Sequence, residues 1–260
     1  MAPFEAGLWI SALPLLLVAA SITWLLSLPL RNVNAANALW SLMLFAAGVV
    51  YALGSDPRAP RLSPVLWLLV IWAARLAVFI MARSAGKGEE RRFQELRARH
   101  EPFWLKSLYL VFIPRALLAW VISLPLLGAF ASIRPVGWFD LAGVLLWLAG
   151  FIFEAGSDWQ MARFRRNPAN AGAVLDRGFW RYTRHPNYFG EFCTWWGFGL
   201  IALSAGAWWA VAGPLVLTWL LWRVSGVAWQ ESDIGKRRPQ YADYVLKTNA
   251  FFPASPRKMT

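Results

Sequence analysis

Residues 177–191 read RGFWRYTRHPNYFGE, and apolar sequence continues from Phe192 without a break as FCTWWGFGLIAL. Fifteen positions hold Arg177, Arg181, Arg184, His185, Asn187, Tyr188 and Glu191. Polar chemistry this dense, joined directly to a membrane-grade segment, marks a polar site at a bilayer surface. Pro186 fixes its own φ and pushes His185 out of the helical region. Asn187 is then expected to cap the helix that follows. Glu191, four residues on, shares its face.

Working outward, the rest of the chain has the same two-sided character. It has 260 residues, 58% of them hydrophobic, with 18 Trp and only 15% charged. A soluble domain carries about a quarter charged residues. The apolar residues come in runs that approach or exceed the ~20 needed to cross a bilayer. The fold expected is an all-α, polytopic membrane helix bundle of about seven spans. They are placed at 7–30, 35–54, 62–82, 105–127, 136–157, 189–204 and 207–228, with a hairpin through Ala205 and Gly206. The whole of 1–260 reads as one integral membrane domain whose cofactor-binding half is 153–253.

The basic residues orient it. Of 26 Lys and Arg, Arg75 and Arg115 fall inside spans, and Arg58, Arg61 and Arg134 fall in 55–61 and 128–135. The other 21 lie at Arg31, in 83–106, in 163–184 and from Arg223 onward. With seven spans these segments share one face, so the N-terminus is expected outside and the C-terminus in the cytoplasm. The net charge of +12 then follows from topology and anionic lipid, and nucleic acid is not an expected partner. Cys193 is the only cysteine and His100 and His185 are the only histidines. A cysteine-built or His-carboxylate metal site is therefore not expected.

Other polar groups sit where a bundle does not need them. Arg75 lies inside the third span, where a charge costs about 2.5–3.5 kcal/mol on insertion scales and calls for a partner or a wet cavity. Pro114 and Arg115 interrupt the fourth span. Glu154 and Asp158 are four apart, hence on one helix face, and Arg163, Arg165 and Arg166 follow them. The segment 89–99 reads as a short interfacial helix. In the tail, Glu231 and Asp233 precede Tyr241, Tyr244 and a Phe251-Phe252-Pro253 return to the interface. The third, fifth and sixth spans thus bring Arg, acid and amide groups to one level. That pattern suits an anionic polar cofactor from the cytoplasm and a lipophilic substrate from the bilayer.

Three blocks, GSDWQMARFRRNP (156–168), GFWRYTRHPNYFGE (178–191) with its apolar continuation, and RRPQYADYVLKTNAFFP (237–253), resemble the steroid 5-alpha-reductase family. The likeness is greatest to its bacterial members of unassigned substrate. The resemblance implies a seven-span reductase of the bacterial inner membrane. It would use NADPH to reduce a carbon–carbon double bond conjugated to a ketone in a lipophilic substrate. It implies nucleotide contacts from Asp158, Arg165, Arg184, His185, Asn187, Tyr188 and Glu191, with Arg75, Arg83 and Glu231 in addition. Steroid-reducing members carry an early Gln-Glu pair, absent here, and a tyrosine three residues before an arginine in the third span, where this chain has Trp72. The catalytic acid is thus unassigned, with Tyr51, Tyr109 and Tyr182 as candidates. The RHPxYxG pattern is also similar to isoprenylcysteine carboxyl methyltransferases. That alternative implies S-adenosylmethionine and a lipophilic carboxylate. A third alternative is a lipid-binding protein without catalysis.

Overall fold

Helices supply every element long enough to cross a bilayer in the computed structural model, which describes residues 1–224 and 240–257. Five stretches are long and apolar enough to do so by length and composition. They are Ala6–Leu30 (α1), Ala35–Gly54 (α2), Leu62–Ser84 (α3), Phe103–Phe130 and Trp138–Arg166 (α8). Arg91–Arg99 forms α4, within the segment read as interfacial. The fourth stretch is built of α5 (Phe103–Ser107), a π-helical turn, α6 (Ile113–Ile122) and α7 (Leu124–Phe130). The sixth expected span is α9, Pro186–Ser204. The seventh opens as a 3-10 turn, α10 (Ala212–Trp219) and a second π-turn, and its end lies outside the described residues. A final short helix, α11, is Tyr241–Lys247.

The chain divides into two units. One comprises 1–139 with 201–213, and the other comprises 140–200 with 214–260.

In the first unit α1, α2, α3 and the α5–α7 stretch pack together around Leu16, Met43, Leu44, Tyr51, Trp72, Phe112 and Phe130, all essentially buried. Lipid is as apolar as leucine, so helix association here depends on packing and hydrogen bonds more than on apolar burial. The contacts agree. Trp9 and Trp120 stack with centroids 3.8 Å apart, and each indole N–H donates to the other's carbonyl oxygen, at 3.3 and 2.8 Å. Tyr51 and Ser123 share a hydrogen bond of 3.0 Å. The interruption at Pro114 is absorbed by the π-turn at Leu108–Phe112, and Arg115 Nη1 donates to the Val111 carbonyl at 2.7 Å. A polar side chain thus attends the backbone next to the proline, as membrane helices require.

Arg61 is 1% exposed, although its sequence position reads as a loop cation. It donates to the carbonyls of Arg134 and Pro135 at 2.8 and 3.0 Å and to Ser204 Oγ at 3.2 Å. One guanidinium therefore ties the 131–137 connection to the end of α9.

In the second unit α8 and α9 meet backbone to backbone. A Cβ on Gly150 would lie 2.5 Å from the Thr194 nitrogen and 2.6 Å from the Gly190 oxygen. One on Gly197 would lie 2.7 Å from the Gly143 oxygen, and one on Gly190 would collide with the Glu154 nitrogen. Glycine is required at these positions because nothing larger permits the approach.

Candidate functional site

Gly190 decides what the RHPN turn faces. Its contact with Glu154 brings the first turn of α9 against the stretch of α8 that carries Glu154, Ser157 and Asp158. Those three are 3%, 0% and 8% exposed, and His185 is 3% exposed. Asn187, Tyr188 and Glu191 are half-buried, and Arg163, Arg165, Arg166, Arg177 and Arg181 are exposed. The carboxylate pair on one face of α8 is therefore real. Glu154, which the resemblance leaves out, is the more deeply buried member.

The segment before α9 is fastened to the same helix. Gly178 takes φ +62°, a left-handed conformation open to glycine. This lays the chain on Gln160, whose Oε1 accepts from Phe179 N at 3.0 Å. Trp180 Nε1 donates to the Ser157 carbonyl at 3.1 Å. The helix itself begins two residues earlier than the capping expectation. Pro186 occupies the first helical position, where its missing N–H is no loss, and Phe189 N donates to the His185 carbonyl at 3.0 Å. His185 is thus the capping residue, and Asn187 lies inside the first turn. The His185 ring stacks on Tyr188 at 5.6 Å.

The tail closes over this turn. Thr183 Oγ1 donates toward the carbonyls of Phe251 (2.8 Å) and Ala250 (3.2 Å), and Arg184 N donates to the Asn249 carbonyl at 2.9 Å. The Arg184 guanidinium is 8% exposed and donates through Nη1 to the carbonyls of Thr248 (2.5 Å) and Val245 (3.3 Å). Tyr244 OH donates to the Trp180 carbonyl. Phe189, Phe192, Trp222, Phe251 and Phe252 form an aromatic cluster beneath, with edge and stacked contacts of 5.3–6.4 Å. The motif arginine expected to meet a phosphate thus has tail carbonyls as acceptors. Sequence reading missed Thr183 and the tail backbone, because a carbonyl acceptor leaves no residue-type signature.

The remaining expected site residues lie elsewhere. Arg75, half-buried in α3, and Arg83, exposed and 2.9 Å from Glu90, belong to the first unit. Glu231 lies outside the described residues. Of the three tyrosine candidates, Tyr51 is fully buried on Ser123, while Tyr109 and Tyr182 are 60% and 44% exposed. Trp72 is fully buried. Among the described residues no group of three His, Cys, Asp or Glu could hold a metal ion.

Helices of this length and composition define a polytopic integral membrane protein. The family profile described as "Protein of unknown function (DUF1295)" matches residues 23–248, and the chain belongs to that family. Two relatives are the proteins named 3-oxo-5-alpha-steroid 4-dehydrogenase 1 of Mus musculus and of Rattus norvegicus. Each is 38% identical over 65 residues, which is 25% of this chain and 25% of the relative. The likeness thus spans about a quarter of the curated relatives' length. No solved structure matches the chain.

Proposed function

We propose that the protein is a membrane-embedded reductase that uses NADPH to reduce a carbon–carbon double bond conjugated to a ketone in a lipophilic substrate. The observation that carries this reading is the graded polarity of the second unit. Exposed arginines at 163, 165, 166, 177 and 181 give way to half-buried Asn187, Tyr188 and Glu191, and these to buried Glu154, Asp158 and His185. A dinucleotide has the same grading. Its phosphates suit arginines at the rim, and its ribose hydroxyls and amide suit carboxylate and amide partners deeper in. Bound there, NADPH would supply the hydride. Asp158, Asn187, Tyr188 and Glu191 would orient it, Arg165 would meet phosphate, and Glu154 adds a second acceptor beside Asp158. Arg184 serves this site by holding the tail. The likeness to the two rodent proteins, whose names specify a 3-oxo-5-alpha-steroid, supports a ketone-bearing lipid as substrate. With tryptophan at position 72, that substrate is a lipophilic enone other than an ordinary 4-ene-3-keto steroid. In this reading the site faces the cytoplasm of a bacterial inner membrane.

Titration of the purified full-length protein with NADPH, NADH and S-adenosylmethionine tests the proposal. NADPH should bind tightest. Asn187→Ala and Glu191→Ala should each weaken it by the ~1.5–3 kcal/mol of a hydrogen bond to a charged group, roughly ten- to a hundredfold. Binding of S-adenosylmethionine without NADPH would instead select the methyltransferase alternative. Binding of neither would select the non-catalytic one.

A further inference from the structure

At one end of the first unit, residues 31–37 meet the 83–115 region, and there the positive charge exceeds the acid available. Glu89 is fully engaged. It accepts from Arg97 Nε and Nη2 at 2.9 and 2.8 Å and from Val33 N at 3.1 Å. That hydrogen bonding raises the Arg97 guanidinium above its usual pKa. Glu90 is shared between Arg83 at 2.9 Å and Arg92 at 3.4 Å. Arg115 has no carboxylate within ion-pair distance among the described residues. Arg83 and Arg92 thus divide one carboxylate, and Arg115 beside them pairs with none among the described residues.

What joins two of them is a neutral amide. Asn37 is 8% exposed, and its Oδ1 accepts from Arg92 Nη2 and, at 3.3 Å, from Arg115 Nη2. The Phe93 ring faces both guanidiniums, at 4.5 and 5.5 Å. The amide cannot be reversed, because its NH2 would then point at two cations. Its Nδ2 is buried with no acceptor among the described residues. Arg92 Nε, although 3.4 Å from Glu90, makes no hydrogen bond there. Buried donors without acceptors are rare in folded proteins. Two of them beside uncompensated positive charge call for a ligand that is both acceptor and anion. A water molecule would satisfy the amide and leave the charge.

We propose that Asn37, Arg92 and Arg115 form a binding site for a phosphate-type oxyanion, which accepts from Asn37 Nδ2 and from the two guanidiniums. This site is separate from the reductase reading and does not depend on it. The same oxyanion chemistry comes from a lipid headgroup or a free ion, and Asn37, the third residue of α2, lies at the end of that helix. Basic pockets between spans take anionic headgroups.

The test is thermal unfolding of the full-length protein in three settings. These are phosphatidylcholine nanodiscs alone, the same discs with inorganic phosphate against chloride at equal ionic strength, and discs containing phosphatidylglycerol. The midpoint should rise with phosphate over chloride, with phosphatidylglycerol, or with both. A rise with the lipid alone identifies the headgroup as the source, and a rise with phosphate identifies a small anion. Asn37→Asp places a fixed carboxylate on the two guanidiniums. It should raise the midpoint in plain discs and weaken the anion response about tenfold or more, the loss of a charge-assisted hydrogen bond. Arg92→Gln should weaken the response similarly and decides the matter if Asn37→Asp does not fold. Arg31→Gln, at an exposed arginine, should leave the response intact. The proposal is overturned if wild type responds to neither anion, or if the response survives undiminished in the two site variants.

Discussion

The two units hold their helices together by different means. In the first, long side chains span most of the gaps: the paired indoles of Trp9 and Trp120, the Tyr51–Ser123 bond, and Arg61 reaching three acceptors, with a glycine approach at Gly213, whose Cβ would lie 2.7 Å from the Ile122 oxygen. In the second, α8 and α9 touch through glycine, and the candidate site is the direct result of that approach. Side chains can shift when a neighbour changes. Two backbones in contact cannot, so the α8–α9 seam should be far less tolerant of substitution than the side-chain contacts of the first unit.

The sharpest way to break this contrast is a pair of glycine variants. Gly190→Ala puts a methyl group into the Glu154 backbone, whereas Gly48→Ala meets the ends of Leu69 and Leu126, which are flexible. Gly190→Ala should lie at or above the upper end of the roughly 1–3 kcal/mol expected for overpacking, and Gly48→Ala well below it. Equal unfolding midpoints in detergent would remove the distinction. Next in size is Arg184→Met, which deletes the donor to Thr248 and Val245. About 1.5–3 kcal/mol of tail anchoring should be lost. Limited proteolysis should then cleave within 240–257 faster than in wild type, while cleavage in the 85–90 loop stays unchanged. A tail as protected as before would mean that the Phe251 and Phe252 cluster alone holds it.

Trp9→Phe in the first unit keeps an aromatic ring and removes one of two reciprocal hydrogen bonds, for a loss of about 1 kcal/mol. A larger loss than that of Arg184→Met would reverse the ordering of the units. The smallest effect belongs to the exposed Asp56–Arg58 pair. The hydrogen bond from Arg58 lowers the Asp56 carboxyl to about 2. A depressed carboxylate contributes above its unfolded value, near 4, and that contribution is lost as pH falls through about 2. Because the pair is solvent-exposed, Asp56→Asn and wild type should melt together at pH 7 and remain together at pH 3. A resolved gap at pH 7 that closes in acid would show the pair to matter.

Much of this was legible in the chain. Length and hydropathy placed seven spans, of which five are helices long and apolar enough to cross a bilayer among the described residues, and the i, i+4 spacing of Glu154 and Asp158 put both on one face. What could not be read is contact between positions far apart. Gly190 and Glu154 are separated by a whole connection, and nothing local marks a glycine as the place where two helices touch. Arg61 reads as a loop charge because charge counting assumes exposure, yet its burial is set by the carbonyls of 134 and 135. The start of α9 was displaced by two residues because the proline was treated as the end of a turn. At the first helical position its fixed φ begins the helix instead.

The tail clamp also sets an order of events during synthesis. Thr183 and Arg184 leave the ribosome 61 to 68 residues ahead of the carbonyls they bind at Val245, Thr248 and Phe251. Throughout that interval α9 must enter the bilayer with an arginine at its threshold that has not yet met those acceptors. A nascent chain stalled or cut before residue 245 would keep its long helices and lack the cover over the RHPN turn.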